Sequence, residues 1–155
     1  MKVAKVQKEL FLTVSQKEMK HATSSFDFAA VKLILVQKDS RGRLTYIGAK
    51  NNSGRQVFQV FENLQPGTYQ VYVEVDTLQE VVLSCYSQDK VDFSGEQPVD
   101  RMDFLQQTMT SYLYTNAEKK TYSSEGIPEA YKLVCKFEFG FVGFLYRNDS
   151  LEATL

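Results

Sequence analysis

The chain has 155 residues, 43% of them hydrophobic and 13% aromatic, with eleven Phe, nine Tyr and no Trp. A chain of this size buries one core without metal or disulfide staples, so a single domain over 1–155 is expected, and its apolar content excludes global disorder. The formal net charge of −1 leaves no global field to gather a phosphate backbone, which argues against nucleic acid as a partner.

Met1 to Glu9 contains no apolar run of signal-peptide type. Uninterrupted apolar stretches such as Leu33 to Val36 fall far short of a membrane span. A soluble, cytoplasmic chain is therefore expected. Lys2, Lys5, Lys8, Lys17 and Lys20 outnumber Glu9 and Glu18 near the start. Such a basic segment either frays into solvent, the expected outcome, or meets anionic lipid heads.

In chain order, Leu10 to Val14 reads as a first strand, with Phe11 and Thr13 on one face and Leu12 and Val14 on the other. A polar stretch from Ser15 to Ser25 follows. Val31 to Val36, interrupted only by Lys32, is the continuous apolar run of a strand covered on both faces. Ser40-Arg41-Gly42-Arg43 and Asn51-Asn52-Ser53-Gly54 read as turns flanking a strand at Leu44 to Ile47. Gln56 to Phe61 alternates, with Val57 opposing Phe58 and Val60 opposing Phe61. Pro66-Gly67 predicts a type II turn with positive φ at the glycine. After it, Tyr69, Val71, Val73 and Val75 share one face and Gln70, Tyr72, Glu74 and Asp76 the other. Val81 to Ser87 makes a further strand.

The pattern changes after Pro98. Met102, Leu105, Met109, Tyr112 and Leu113 recur at spacings of three and four, so a helix is expected near residues 99–114, its start capped by Asp100 and Asp103. Asn116 to Gly126 reads as a polar loop. Tyr131, Leu133, Cys135, Phe137 and Phe139 then alternate with polar residues, and Gly140 and Gly143 break the run before Phe144 to Tyr146. The whole is all-β: an antiparallel sandwich of about eight strands with one inserted helix, or, alternatively, a closed barrel.

Chemistry-bearing residues are few. His21 is the single histidine and lies in a polar stretch; a nucleophile pair would need Cys85 or Cys135 to meet it. Both cysteines lie in apolar runs and read as buried free thiols. No zinc spacing, phosphate-binding glycine loop or nucleophile elbow is present. No catalytic residue and no cofactor-binding residue is therefore assigned, and the chain is not expected to be an enzyme. Asp76, Glu80, Asp89 and Asp92 flank strand ends, where calcium could gather oxygens. They lack the density of a strong site, so a solvated acidic rim is the expected reading and no cofactor is assigned.

Leu64-Gln65-Pro66-Gly67-Thr68-Tyr69, the strand ending at Asp76, and Val82-Leu83-Ser84-Cys85-Tyr86-Ser87 resemble the C2-like β-sandwich domain (the third domain) of calpain-type cysteine proteases. Val31 to Val36 and Gly143-Phe144-Leu145-Tyr146 are similar to calpain-like chains of protists. The likeness covers residues 8 to 95 and extends loosely beyond. It implies an accessory domain of a larger protein, with catalysis in a separate papain-like domain built on Cys, His and Asn. It implies regulatory docking on that protease domain through protein contacts, or else phospholipid binding with a calcium response. The long acidic loop of conventional calpains has no counterpart here, so no ligand residue is carried over.

Overall fold

The computed structural model describes residues 1–17, 28–78, 80–95 and 100–116, together with the backbone of 118–124, 127–136 and 142–148. The chain divides into two compact units, Met1–Pro98 and Val99–Leu155.

The described residues of the first unit hold eight strands: β1 (Lys2–Val3), β2 (Gln7–Gln16), β3 (Ala30–Lys38), β4 (Leu44–Ser53), β5 (Gln56–Leu64), β6 (Gly67–Val75), β7 (Val81–Ser87) and β8 (Val91–Asp92). They form two antiparallel sheets, ordered β4–β3–β6–β1–β8 and β5–β2–β7. The sheets stay distinct, which makes a sandwich rather than a closed barrel. Alternation decides what lies between them. Leu10, Leu12 and Val14 of β2 and Val57 and Phe61 of β5 meet Val31, Leu33 and Leu35 of β3 and Tyr69 of β6, all buried. Val71, Val73 and Val75 pack against this cluster, as the period-two pattern of β6 requires.

β3 is covered on both faces, as its apolar run, interrupted only by Lys32, predicts: Ile34 and Val36, pointing away from the core cluster, are as fully buried as Leu33 and Leu35. Beside them on the same outer face, Lys32 Nζ lies 2.7 Å from Glu74 Oε1, and the Tyr72 hydroxyl donates to Glu74 Oε2 at 2.7 Å. Polar groups also close the ends of β2. The Gln16 side-chain amide donates to the carbonyls of Ala29 (2.8 Å) and Gly54 (2.9 Å), and its oxygen accepts from Ala29 N–H (3.2 Å). Buried Gln7 donates to Lys5 O (3.1 Å) and accepts from Asp89 N–H (3.3 Å).

Three local expectations need correction. Gly67 does not adopt positive φ; it opens β6 in the ladder opposite Val3. A Cβ there would lie 2.9 Å from Gln37 Nε2, the far end of a flexible side chain that can move aside. Positive φ falls instead at Asn63 (53°) and, in the expected 40–43 turn, at Gly42 (81°). The start of the chain does not fray: β1 sits between β6 and β8, and Val3 is buried. Asn51 to Ser53 belong to β4 rather than to a turn.

The second unit begins with α1 (Arg101–Asn116), followed by β9 (Glu118–Ser124), β10 (Ile127–Lys136) and β11 (Val142–Asn148) in an antiparallel sheet ordered β11–β10–β9. Asp100 caps the helix as expected: its Oδ1 accepts from Met102 N–H (2.8 Å) and Asp103 N–H (3.1 Å). The buried stripe is Phe104, Leu105, Thr108 and Leu113; Met102 is exposed. The segment expected as a polar loop contains β9. A register irregularity between Ile127 and Ala130 surrounds Pro128, which has no N–H for the ladder. Helix α1 lies against β10 and β11. Among the described residues these strands pair only with one another, and the helix, near the expected residues 99–114, opens the second unit.

Candidate functional site

The outer face of an antiparallel sheet is ordinarily polar, and that of β5–β2–β7 interleaves large apolar groups with its polar ones. Register places Val60, Phe11 and Tyr86 in one cross-strand row, Phe58, Thr13 and Ser84 in the next, and Gln56, Ser15 and Val82 in a third. Phe58, Val82 and Tyr86 are each about 60% exposed and Phe11 37% exposed. Phe11, Tyr86, Val60 and Phe58 occupy two adjacent rows on the side of the sheet turned away from the core, with Val82 one row farther along beyond Ser84; exposed apolar groups gathered in this way mark an interaction site.

One end of the patch opens into a groove of about 750 Å³, with walls from Lys8, Glu9, Phe11, Glu62, Asn63 and Tyr86. Asn63 shapes it. Its left-handed backbone interrupts the alternation of β5, so Phe61 and Leu64 both turn into the core while Glu62 stays outside. Glu62 is the direct cross-strand partner of Glu9. Two exposed carboxylates therefore stand side by side with aromatic rings next to them. A smaller hollow of about 330 Å³ also has Phe58 and Val60 in its wall, with Lys50 and Asn52 of β4 opposite. Chemically, this face offers apolar area to bury and carboxylates to accept hydrogen bonds or pair with a cation.

The residues singled out from sequence lie elsewhere. Asp76 and Glu80 follow β6 and precede β7, whereas Asp89 and Asp92 follow β7. Since β7 spans seven residues, about 20 Å separates the two pairs. Each carboxylate is engaged locally: Asp76 Oδ1 accepts from Ala30 N–H (3.0 Å), Glu80 meets Lys17 (2.8 Å), Asp89 meets Lys5 (3.6 Å) and Asp92 meets Lys90 (3.6 Å). Among the described residues no three His, Cys, Asp or Glu side chains come together. The Lys17 partnership lowers the Glu80 carboxyl below its ordinary range. Cys85 is a free, half-buried thiol on the core side of β7, and burial pushes its pKa up, away from the thiolate a nucleophile needs. His21, Lys20 and the Cys135 side chain lie outside the described residues. No helix among the described residues is long and apolar enough to cross a membrane.

Sequence reading missed the exposed patch. The signal was there: β5 carries large apolar groups at both parities, Phe58 and Val60 against Val57 and Phe61, whereas a half-solvated strand needs them at only one. No family model matches the chain, nor does any curated protein or solved structure.

Proposed function

We propose that this chain is a non-catalytic docking module that works through protein–protein contacts on the outer face of the β5–β2–β7 sheet. The observation that carries the proposal is the exposed row of Phe11 and Tyr86 with Phe58 in the next row, on the face that also exposes Val82. A folded chain gains nothing by presenting this much aromatic surface to water, and aromatic side chains are enriched where partners meet. The resemblance to the C2-like domain of calpain-type proteases supplies the narrower form: the partner is the papain-like protease segment of a calpain-like protein, which the module positions or restrains.

A peripheral phospholipid-binding role has less support. Of the lysines that suggested it, Lys5 and Lys17 are paired with Asp89 and Glu80, and the carboxylates that suggested a calcium response sit at opposite ends of β7.

Titrating the full chain with a papain-like protease segment of the calpain class tests the proposal. Binding should weaken about tenfold or more, equivalent to about 1.4 kcal/mol, when Phe58→Ser and Tyr86→Ser are combined. Binding that ignores both substitutions rejects the face, and no binding at all rejects this partner.

A further inference from the structure

We infer that the occupant of this face is an extended peptide segment patterned basic–x–apolar–x–apolar, whose arginine or lysine enters the groove between Glu9 and Glu62. The inference rests on the docking reading above and names the chemistry of the partner.

The carboxylates point to it first. Among the described residues of the first unit, Asp39, Glu74, Asp76, Glu80, Asp89 and Asp92 each have an ion-pair or hydrogen-bond partner. Glu9 and Glu62 have none, and they are the two that register sets directly opposite each other. Like charges in directly opposed cross-strand positions repel. A cation seated between them relieves that repulsion. Lys8 also lines the groove, but one ammonium against two carboxylates leaves the site negative. Phe11 and Tyr86 in the same wall add ring faces on which a guanidinium stacks, so arginine fits better than lysine.

Spacing then fixes the pattern. Along β2, Glu9, Phe11 and Thr13 mark successive rows: the carboxylate pair, then Val60–Phe11–Tyr86, then the row holding Phe58. Adjacent rows on one face are two residues apart, about 7 Å. An extended peptide repeats its own same-side residues at the same interval. An arginine over the carboxylates therefore brings its second successor over the Val60–Phe11–Tyr86 row and its fourth over the row that presents Phe58.

The test is a labelled peptide with the core Arg-Ser-Leu-Ser-Leu, compared with the same peptide carrying Glu in place of Arg. Anisotropy and amide chemical-shift mapping are read on the full chain. The Arg peptide should shift amides of β2, β5 and β7 and bind about tenfold or more tightly than its Glu counterpart. Glu9→Gln with Glu62→Gln should abolish that preference, and Phe58→Ser should weaken both peptides. If the two peptides bind the native chain equally but still depend on Phe58, the docking face stands and the basic pattern is wrong. If neither perturbs the face at millimolar concentration, or if anionic vesicles occupy it in preference to the Arg peptide, the inference is overturned. The protease titration then judges the docking reading separately.

Discussion

The two sheets of the first unit treat their outer faces in opposite ways. On β3, Ile34 and Val36 are fully buried outside the core cluster, and the neighbouring Lys32, Glu74 and Tyr72 satisfy one another at 2.7 Å. On β5–β2–β7, Phe58, Val82 and Tyr86 stay about 60% exposed, and Glu9 faces Glu62 without a partner. One outer face is closed in apolar and electrostatic terms; the other is left open in both. Groups serving stability are expected to sit where substitution is costly, and groups serving a partner where the fold does not depend on them. The difference therefore separates framework from contact surface.

The largest expected effect breaks or sustains that division directly. Ile34→Ala removes buried apolar volume and should cost about 2–4 kcal/mol. Phe58→Ser, on the open face, should stay within about 0.5 kcal/mol of the parent. Urea unfolding of both variants decides it. If Phe58→Ser were as damaging as Ile34→Ala, the exposed ring would belong to the framework and the proposed surface would lose its basis.

The buried glutamines give the next largest effect, and they grade within one strand. Gln16→Leu strands the N–H and carbonyl of Ala29 and the carbonyl of Gly54, and should cost about 2–3 kcal/mol. Gln7, with two longer bonds, at 3.1 and 3.3 Å, should lose about half as much. Amide exchange at Ala29 and Asp89 reports each end separately. Equal losses at the two ends would mean that hydrogen-bond geometry does not set the cost.

Much of this framework was legible in the sequence, and the reason is periodicity under strong burial. The apolar positions of β6 and the two-faced run of β3 could each be assigned because one register alone hides their side chains. Asp100 could be assigned as a helix cap because its side chain bonds only to its own local backbone. What sequence did not show depends on partners distant in the chain. β9, with the sequence EKKTYSS, has no apolar pattern of its own and is a strand because β10 completes its hydrogen bonds. On α1, Leu105 and Leu113 of the expected stripe are buried, but Phe104 and Thr108 join them in place of Met102, and a buried threonine is a poor hydropathy marker. The candidate site was hidden for the opposite reason. Phe58 and Tyr86 look like core residues in any one-strand pattern, and only pairing shows that they share the solvent side with Phe11. The Glu9–Glu62 opposition likewise exists only once β2 and β5 are in register.

The smallest effect tests whether the closed-face sheet is also pinned at its β3–β4 hairpin. Asp39 Oδ1 accepts from Arg41 N–H and Arg43 N–H at 2.8 Å, and Oδ2 accepts from Arg43 Nε at 2.7 Å. The Arg43 guanidinium, followed by its backbone amide, holds the Asp39 carboxyl below its ordinary pKa of 3.8. A carboxyl whose folded pKa is depressed binds its proton less readily than in the unfolded chain. Its contribution is thus complete above the unfolded value and is lost as pH falls through the folded one. The dependence should set in as pH approaches the unfolded value of 3.8 and continue below it toward the lower folded one, and Asp39→Asn should flatten that part of the urea-midpoint profile while leaving neutral pH nearly unchanged. The pair is exposed and therefore screened, so added salt should shrink the acid-limb difference further. An acid limb identical in the two proteins would show that the turn is held by Gly42 at positive φ and its bond to the Asp39 carbonyl, with the carboxylate contributing nothing measurable.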